Sequence, residues 1–226
     1  IPKNTEYVLV EIGTNSLGEI AELSQIVKPD HIIITDVSIG HIEGLKSLDN
    51  IVEEKASICS GQKQKGTAII PSGIEKFSQL KAKVEAFGPN LISVGEDEVS
   101  DVRISDTEVL NNAITSKILD LKQNLWNISL KTAGKHYMKN AAALLALVSS
   151  LNLDLSEAIL SLQSWSPLAG RGQVLEVKLK ASDCNKTIHL IDESYNANPS
   201  SVRSSLETLA CIFTNEKDKG EHYRRI

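Results

Sequence analysis

The sequence predicts an α/β fold: a mostly parallel sheet with flanking helices. Three observations predict it. A strand–helix–strand pattern occupies the first 39 residues, too short a span for anything but a βαβ unit with a right-handed crossover. The same alternation recurs to residue 95. Between residues 98 and 132 the apolar period then drops to two, the mark of an antiparallel hairpin appended to the parallel part.

Each element has its own warrant. "YVLVEIG" (7–13) is an apolar run ending at glycine, the pattern of a strand buried on both faces. "LGEIAELSQIV" sets Leu17, Ile20, Ala21, Leu23 and Val27 near one helical face, and Pro29 stops it. "HIIITDVSI" (31–39) is a second buried strand. "LDNIVEEKASICSG" is helical, "GTAIIPSG" a strand, "GIEKFSQLKAKVEAFG" an amphipathic helix closed by Gly88-Pro89, and "NLISVG" a strand. "VRISD" and "SKILDLKQNLWNISLK" alternate apolar and polar residues. "NAAALLALVSSLNL" is an apolar helix, and "DLSEAILSLQSW" is another with an Asp or Ser cap. At "SPLAGRGQ" the texture turns proline- and glycine-rich, which places a domain boundary there, dividing 1–166 from 167–226. "VLEVKLK" and "KTIHLID" are strands. "PSSVRSSLETLACIF" is a helix with proline in its first turn, and the last residues are polar and patternless.

Bulk properties narrow the function. An apolar share of 41% supplies a real core, and a net charge of −5 gives no electrostatic reason for nucleic-acid binding. No apolar run approaches ~18 residues, so no membrane insertion is expected. "IPKNTEYVLVEIG" lacks the regions of a signal peptide. Cys59, Cys184 and Cys211 form neither a C-x-x-C pair nor zinc spacing; they read as reduced thiols acting as small apolar residues in a cytoplasmic protein.

In an open parallel sheet, ligands bind at the carboxyl ends of the strands. Glu11 stands at the end of the first strand and Asn15 in the loop after it, His41 just past the second strand, and "IDESYNAN" at the end of a later one. A carboxylate and an imidazole on neighbouring strand ends can share a divalent cation such as Mg²⁺, which bridges to nucleotide phosphates. Taken singly, Glu11 is a loop acid, His41 a capping residue, and Lys55 a solvated helix lysine paired to Glu53 or Glu54. "GKHYMKNAAALLA" places Gly134, His136 and Asn140 before and at a helix start, where free N–H groups attract phosphates or purine edges, or where these residues are plain N-caps. No G-x-x-x-x-G-K-[ST] and no G-x-G-x-x-G occurs; "GRGQVL" has Leu175 at the third glycine position. A dinucleotide-dependent dehydrogenase therefore has no fingerprint.

Several of these segments occur together in a known order. "EIGTNSLGEIAELSQIVKPDHIIITDVSIGHIEGLKSLDNIVEEKASI", "GKHYMKNAAALLA", "PLAGRG" and "LIDESYNANPSSVRSSLETLA" resemble the Mur ligases, most nearly the MurF type, over about residues 1–212. The resemblance implies a central ATPase domain over 1–166 and the start of a Rossmann-like C-terminal domain over 167–226. It implies that Glu11 and His41 bind Mg²⁺, and that Lys55 is a carbamylated lysine that can do the same. Asn140 would read adenine beside His136, Arg171 would reach an ATP phosphate, and Glu193 would contact the nucleotide. Asn196 and Asn198 would lie near D-alanyl-D-alanine, and Asn15 on the muramyl-peptide side. The implied reaction is ATP-dependent ligation of D-Ala-D-Ala to UDP-MurNAc-tripeptide in cytoplasmic peptidoglycan synthesis, by a protein expected to be a monomer when complete. Asp36 and Tyr137 stand where the family commonly has asparagine, Ser16 where it has histidine, and Glu193 where it has aspartate. The family's UDP-binding domain and P-loop would precede residue 1, and its C-terminal domain would continue past residue 210. The chain alone is accordingly expected to be inactive. Alternatives are a non-catalytic remnant of such a ligase, or a MurE-type or folylpolyglutamate synthase-type amide ligase.

Overall fold

The computed structural model describes residues 2–38, 42–63, 66–110, 112–181, 184–195 and 199–212. The chain divides into two compact units: Ile1–Ile70 with Ile74–Ile92, and Pro71–Gly73 with Ser93–Ile226.

The first unit is the βαβ part. It holds α1 (Glu19–Val27), β1 (His31–Ile33), α2 (Ile42–Leu45), α3 (Leu48–Ala56), a 3₁₀ turn (Ser57–Gly61), most of β2 (Thr67–Pro71), α4 (Phe77–Glu85) and the start of β3 (Asn90–Gly95). β1 and β2 pair in parallel, His31 opposite Thr67 and Ile33 opposite Ile69, as a crossover unit requires. Ala68 and Ile70 of β2 meet Ile51 and Val52 of α3 and Leu80 and Val84 of α4 in one core, all with no exposed surface. Each such Ile or Leu contributes roughly 1.5–3 kcal/mol by leaving water. The Ser47 hydroxyl caps α3 by accepting from the Asn50 N–H at 3.1 Å.

Several expectations fail in this unit. The second strand, expected over 31–39, is formed by His31–Ile33 alone, and residues 34–38 lie outside it. Residues 7–13 form no strand, and Tyr7, Val8, Leu9 and Val10 are exposed, Leu9 at 97%. Strand-forming residues make a strand only where another strand supplies hydrogen-bond partners, and none pairs with them among the described residues. The buried face of α1 also differs from the apolar pattern. It runs through Ile20 and Ser24, while Leu17, Leu23, Ile26 and Val27 stay exposed. Ser24 is buried because its hydroxyl donates to the Ile58 carbonyl, and Gln25 Nε2 donates to the Ser60 carbonyl at 2.7 Å. Polar groups satisfied by the 3₁₀ turn thus decide which way α1 faces.

The second unit begins with the end of β3, which pairs in parallel with β4 (Val102–Val109), Val94 opposite Val102. β4, β5 (Ile114–Leu119) and β6 (Leu125–Leu130) form the antiparallel meander that the two-residue period predicts. The turn between β5 and β6 folds around Asp120, whose carboxylate accepts from the N–H groups of Lys122 and Asn124 and from Trp126 Nε1, each at 2.8 Å. α5 (Lys135–Ser150) packs on β4 and β5, and α6 (Leu155–Ser164) packs on β6. Asp154 caps α6, accepting from Ser156 N–H at 2.8 Å. β7 (Gln173–Ala181) and β8 (Cys184–Asp192) form an antiparallel ribbon, and α7 (Pro199–Cys211) follows with proline at its first position. Ile212 and Ala133 are buried together, with Ile191 and Leu209 against them.

Candidate functional site

The predicted site residues fall into two groups, each contained in one unit. His41, Asn196 and Asn198 lie outside the described residues.

In the first unit the loop Thr14–Gly18 precedes α1 without a side-chain cap, since Gly18 stands at the N-cap position with φ 95°. Two carboxylates take the place of that cap. Glu54 of α3, only 2% exposed, accepts from Gly18 N–H at 2.6 Å and Ile20 N–H at 2.8 Å. Glu19 accepts from Asn15 N–H at 2.8 Å and Ser16 N–H at 3.2 Å. The Thr14 hydroxyl lies 3.2 Å from Glu19 and 3.3 Å from Glu54. The bonds from Asn15 and Ser16 hold the Glu19 carboxyl below its ordinary pKa. A buried carboxylate is tolerated because backbone donors at a helix N-terminus satisfy it. This loop presents Asn15, which is itself exposed.

Lys55 follows Glu54 in the last turn of α3 and is half-buried. Loss of solvent pulls its pKa below 10.5, and the negative charge of Asp36 works in the opposite direction. The expected pairing with Glu53 or Glu54 is not found: Glu54 is committed to α1, and Glu53 pairs with Lys83 of α4. Glu11 lies in the exposed segment before the loop. No cluster of three or more His, Cys, Asp or Glu suited to a metal is present among the described residues. Of the groups acting on Lys55, Asp36 offers carboxylate oxygens of the kind a hard divalent cation takes. Lys55 as an ammonium is not such a donor.

In the second unit four predicted residues gather around the start of α5. His136 and Asn140 are one turn apart on the same helix face, and both are solvent-accessible. The His136 ring stacks at 4.0 Å on Tyr137, whose other neighbour, Trp165, lies at 5.0 Å. With part of its ring shielded, His136 titrates below 6.5. The Tyr137 hydroxyl donates to the carbonyl of Arg171. Glu193 sits with Tyr137 and Gly172 around one small cavity. Burial raises the Glu193 pKa above 4.5, and the charge of Asp192 adds to this.

Asp192 holds the "GRG" turn. Its carboxylate accepts from Gly170 N–H at 3.0 Å and Ser194 N–H at 3.1 Å, and its carbonyl accepts from Gly172 N–H at 2.7 Å. The bonds from Ser194, then that from Gly170, hold its carboxyl below 3.8. Gly172 has φ 84°, and a Cβ there would meet a Glu193 carboxylate oxygen at 3.0 Å.

Residue-by-residue reading had missed Glu54, Glu19, Asp192 and Trp165. Glu54 had a faint signal: it falls three residues after the buried Ile51, on the inward face of α3.

Comparison with known proteins bears on the family and the fold. Residues 1–148 match the Mur ligase middle domain family. The UDP-N-acetylmuramoyl-tripeptide–D-alanyl-D-alanine ligase of Rickettsia prowazekii is 24% identical over 95% of this chain and 46% of its own length. A crystal structure of MurF from Acinetobacter baumannii superposes with a TM-score of 0.81 at 25% identity, covering 93% of this chain and 44% of that one. MurF from Thermotoga maritima, in complex with ADP, shares the fold with a TM-score of 0.72 at 22% identity, over 87% of this chain and 43% of its own. The chain spans less than half the length of these relatives. With the family match covering its first 148 residues, the chain belongs to the Mur ligase family, and the relatives it resembles along nine-tenths of its length are MurF ligases.

Proposed function

We propose that this chain supplies the nucleotide-facing part of an ATP-dependent peptide ligase that joins D-alanyl-D-alanine to UDP-MurNAc-tripeptide in the cytoplasm. The observation that carries this reading is the meeting of Arg171, Glu193 and the His136–Asn140 helix start within one unit. We divide its roles at residues 166 and 167, with the ATPase part before and the start of a second domain after.

The chemistry is phosphoryl transfer followed by acyl substitution. The terminal carboxylate of the tripeptide attacks the γ-phosphorus of ATP, giving an acyl phosphate and ADP. The amine of D-Ala-D-Ala adds to that carbonyl carbon, phosphate departs from the tetrahedral adduct, and the amine's extra proton is lost. Asn140 and His136 meet the adenine at the head of α5. The Arg171 guanidinium faces the phosphates, where a fixed cation offsets the charge that develops on transfer. Asn196 and Asn198 receive the dipeptide, and Asn15, on its carboxylate-braced loop, faces the muramyl-peptide.

Lys55 fits a further role. Its lowered pKa favours the neutral amine, the form that adds to CO₂ to give a carbamate anion. Glu11, His41 and carbamylated Lys55 would then hold Mg²⁺, which supplies charge neutralisation at the phosphates.

Calorimetric titration of the 226-residue chain with ADP and Mg²⁺ tests the reading. Saturable binding weakened at least ten-fold by Asn140→Ala is expected. Equal affinity in the wild type and the variant would refute the assignment.

A further inference from the structure

Arg171 is held at both of its ends by a tyrosine. Its backbone carbonyl accepts from the Tyr137 hydroxyl, and its guanidinium carbon lies 4.1 Å from the centre of the Tyr195 ring. Each tyrosine is itself fixed. The Tyr137 ring lies between His136 and Trp165. Tyr195 N–H donates to the Gly170 carbonyl at 3.0 Å, and Gly170, with φ 78°, lets the two backbones touch. A Cβ at Gly170 would come within 3.0 Å of Tyr195 N and 3.1 Å of Tyr195 Cβ. Tyr195 is 68% exposed, and Arg171 is exposed too, so the contact is made at the surface with nothing hydrophobic driving it.

We propose that Tyr137 and Tyr195 are positioning residues for Arg171, which hold its guanidinium ready for the phosphate of a nucleotide. The proposal rests on the nucleotide reading above and names two residues that reading does not use. The physical case is entropic. A free arginine side chain has four rotatable bonds to immobilise when it grips an anion, and that cost is subtracted from affinity. An arginine laid on an aromatic face has already met the cost, and its in-plane N–H donors remain open, because the ring occupies only a face of the guanidinium. Tyr137 does the same for the backbone from which the side chain springs. The site should therefore distinguish a phosphorylated nucleotide from a bare nucleoside more sharply than an unbraced arginine would allow.

The test is calorimetric titration of the full chain with ADP and, separately, with adenosine. Wild type, Tyr195→Phe, Tyr195→Leu and Tyr137→Phe are compared. Tyr195→Leu and Tyr137→Phe should each weaken ADP about five-fold, the size expected for an exposed cation–π contact or one hydrogen bond. Adenosine affinity should stay unchanged. Tyr195→Phe, which keeps the ring, should hold wild-type discrimination. Parallel loss of ADP and adenosine binding, or no loss of either, overturns the proposal and leaves the nucleotide reading standing. A wild type that binds neither ligand overturns both. A second reading needs no nucleotide and no variant that might misfold. The Arg171 δ-protons of the wild type should be shifted upfield in the NMR spectrum by the Tyr195 ring current, and random-coil shifts would sink the idea.

Discussion

Glu54 reaches out of α3 to the N–H of Gly18, 36 residues earlier, at 2.6 Å, and so makes one helix responsible for starting another. The neighbouring residue on that helix is Lys55. A single turn of α3 therefore braces the Asn15 loop and carries the lysine proposed to be carbamylated.

Removing this brace should be costly. Glu54→Ala would strand two N–H donors at the start of α1, one of them on Ile20, which is 4% exposed. A loss of about 2–3 kcal/mol is expected, since the lost bonds are to a charged acceptor. Glu54→Gln should lose less, because one acceptor oxygen remains. Urea unfolding gives the magnitude, and amide exchange at Gly18 and Ile20 gives the place.

Lys55 should behave unlike the surface lysines. Its folded-state pKa is lowered, so the unfolded chain binds more protons between that value and 10.5. Stability contributed at this site should then rise as pH climbs through that window. The neutral amine should also capture CO₂ selectively. Carbon-13 NMR with labelled bicarbonate should show one carbamate resonance that vanishes in Lys55→Arg, and a spectrum without it would refute this.

Glu193 shifts in the opposite sense. Its folded pKa is raised by burial, so stability from this residue is lost as pH rises past 4.5. At pH 7 Glu193→Gln should melt about 1 °C higher than the wild type, a small gain because the carboxyl is partly solvated. At pH 4 the gap should close. Thermal melts at the two pH values measure it.

Cys59 is 3% exposed, and burial pushes its thiol pKa up to about 12. The native chain should leave it unlabelled by iodoacetamide at pH 8, with alkylation following only on unfolding. Mass spectrometry of the tryptic peptide reports this. Rapid native labelling would mean that α3 and the 3₁₀ turn open readily.

What the sequence disclosed follows from the range of the forces involved. Asp154 as a cap, Pro199 at the start of α7 and the alternation in β5 and β6 are local, and each was legible. The resemblance carried by the ordered motifs implied Arg171, Glu193 and Asn140 as companions, which pattern alone could not join. The bond from Tyr137 to the Arg171 backbone spans 34 residues and leaves no periodic trace. Glu54 was hidden for the same reason, and its neighbour Lys55 was assigned an ion pair that geometry gives elsewhere. The strand expected at 7–13 was misjudged because propensity is a property of the segment, whereas pairing is a property of its neighbours.

The exposed run from Tyr7 to Val10 has a consequence for handling the protein in solution. Four consecutive aromatic or aliphatic side chains with no charge among them form a short sticky tape, the kind of segment that nucleates colloidal clusters when chains crowd together. Light scattering should therefore grow with concentration and with salt. A lysine gatekeeper, Leu9→Lys, placed on the most exposed of the four, should suppress that growth without changing the melting temperature.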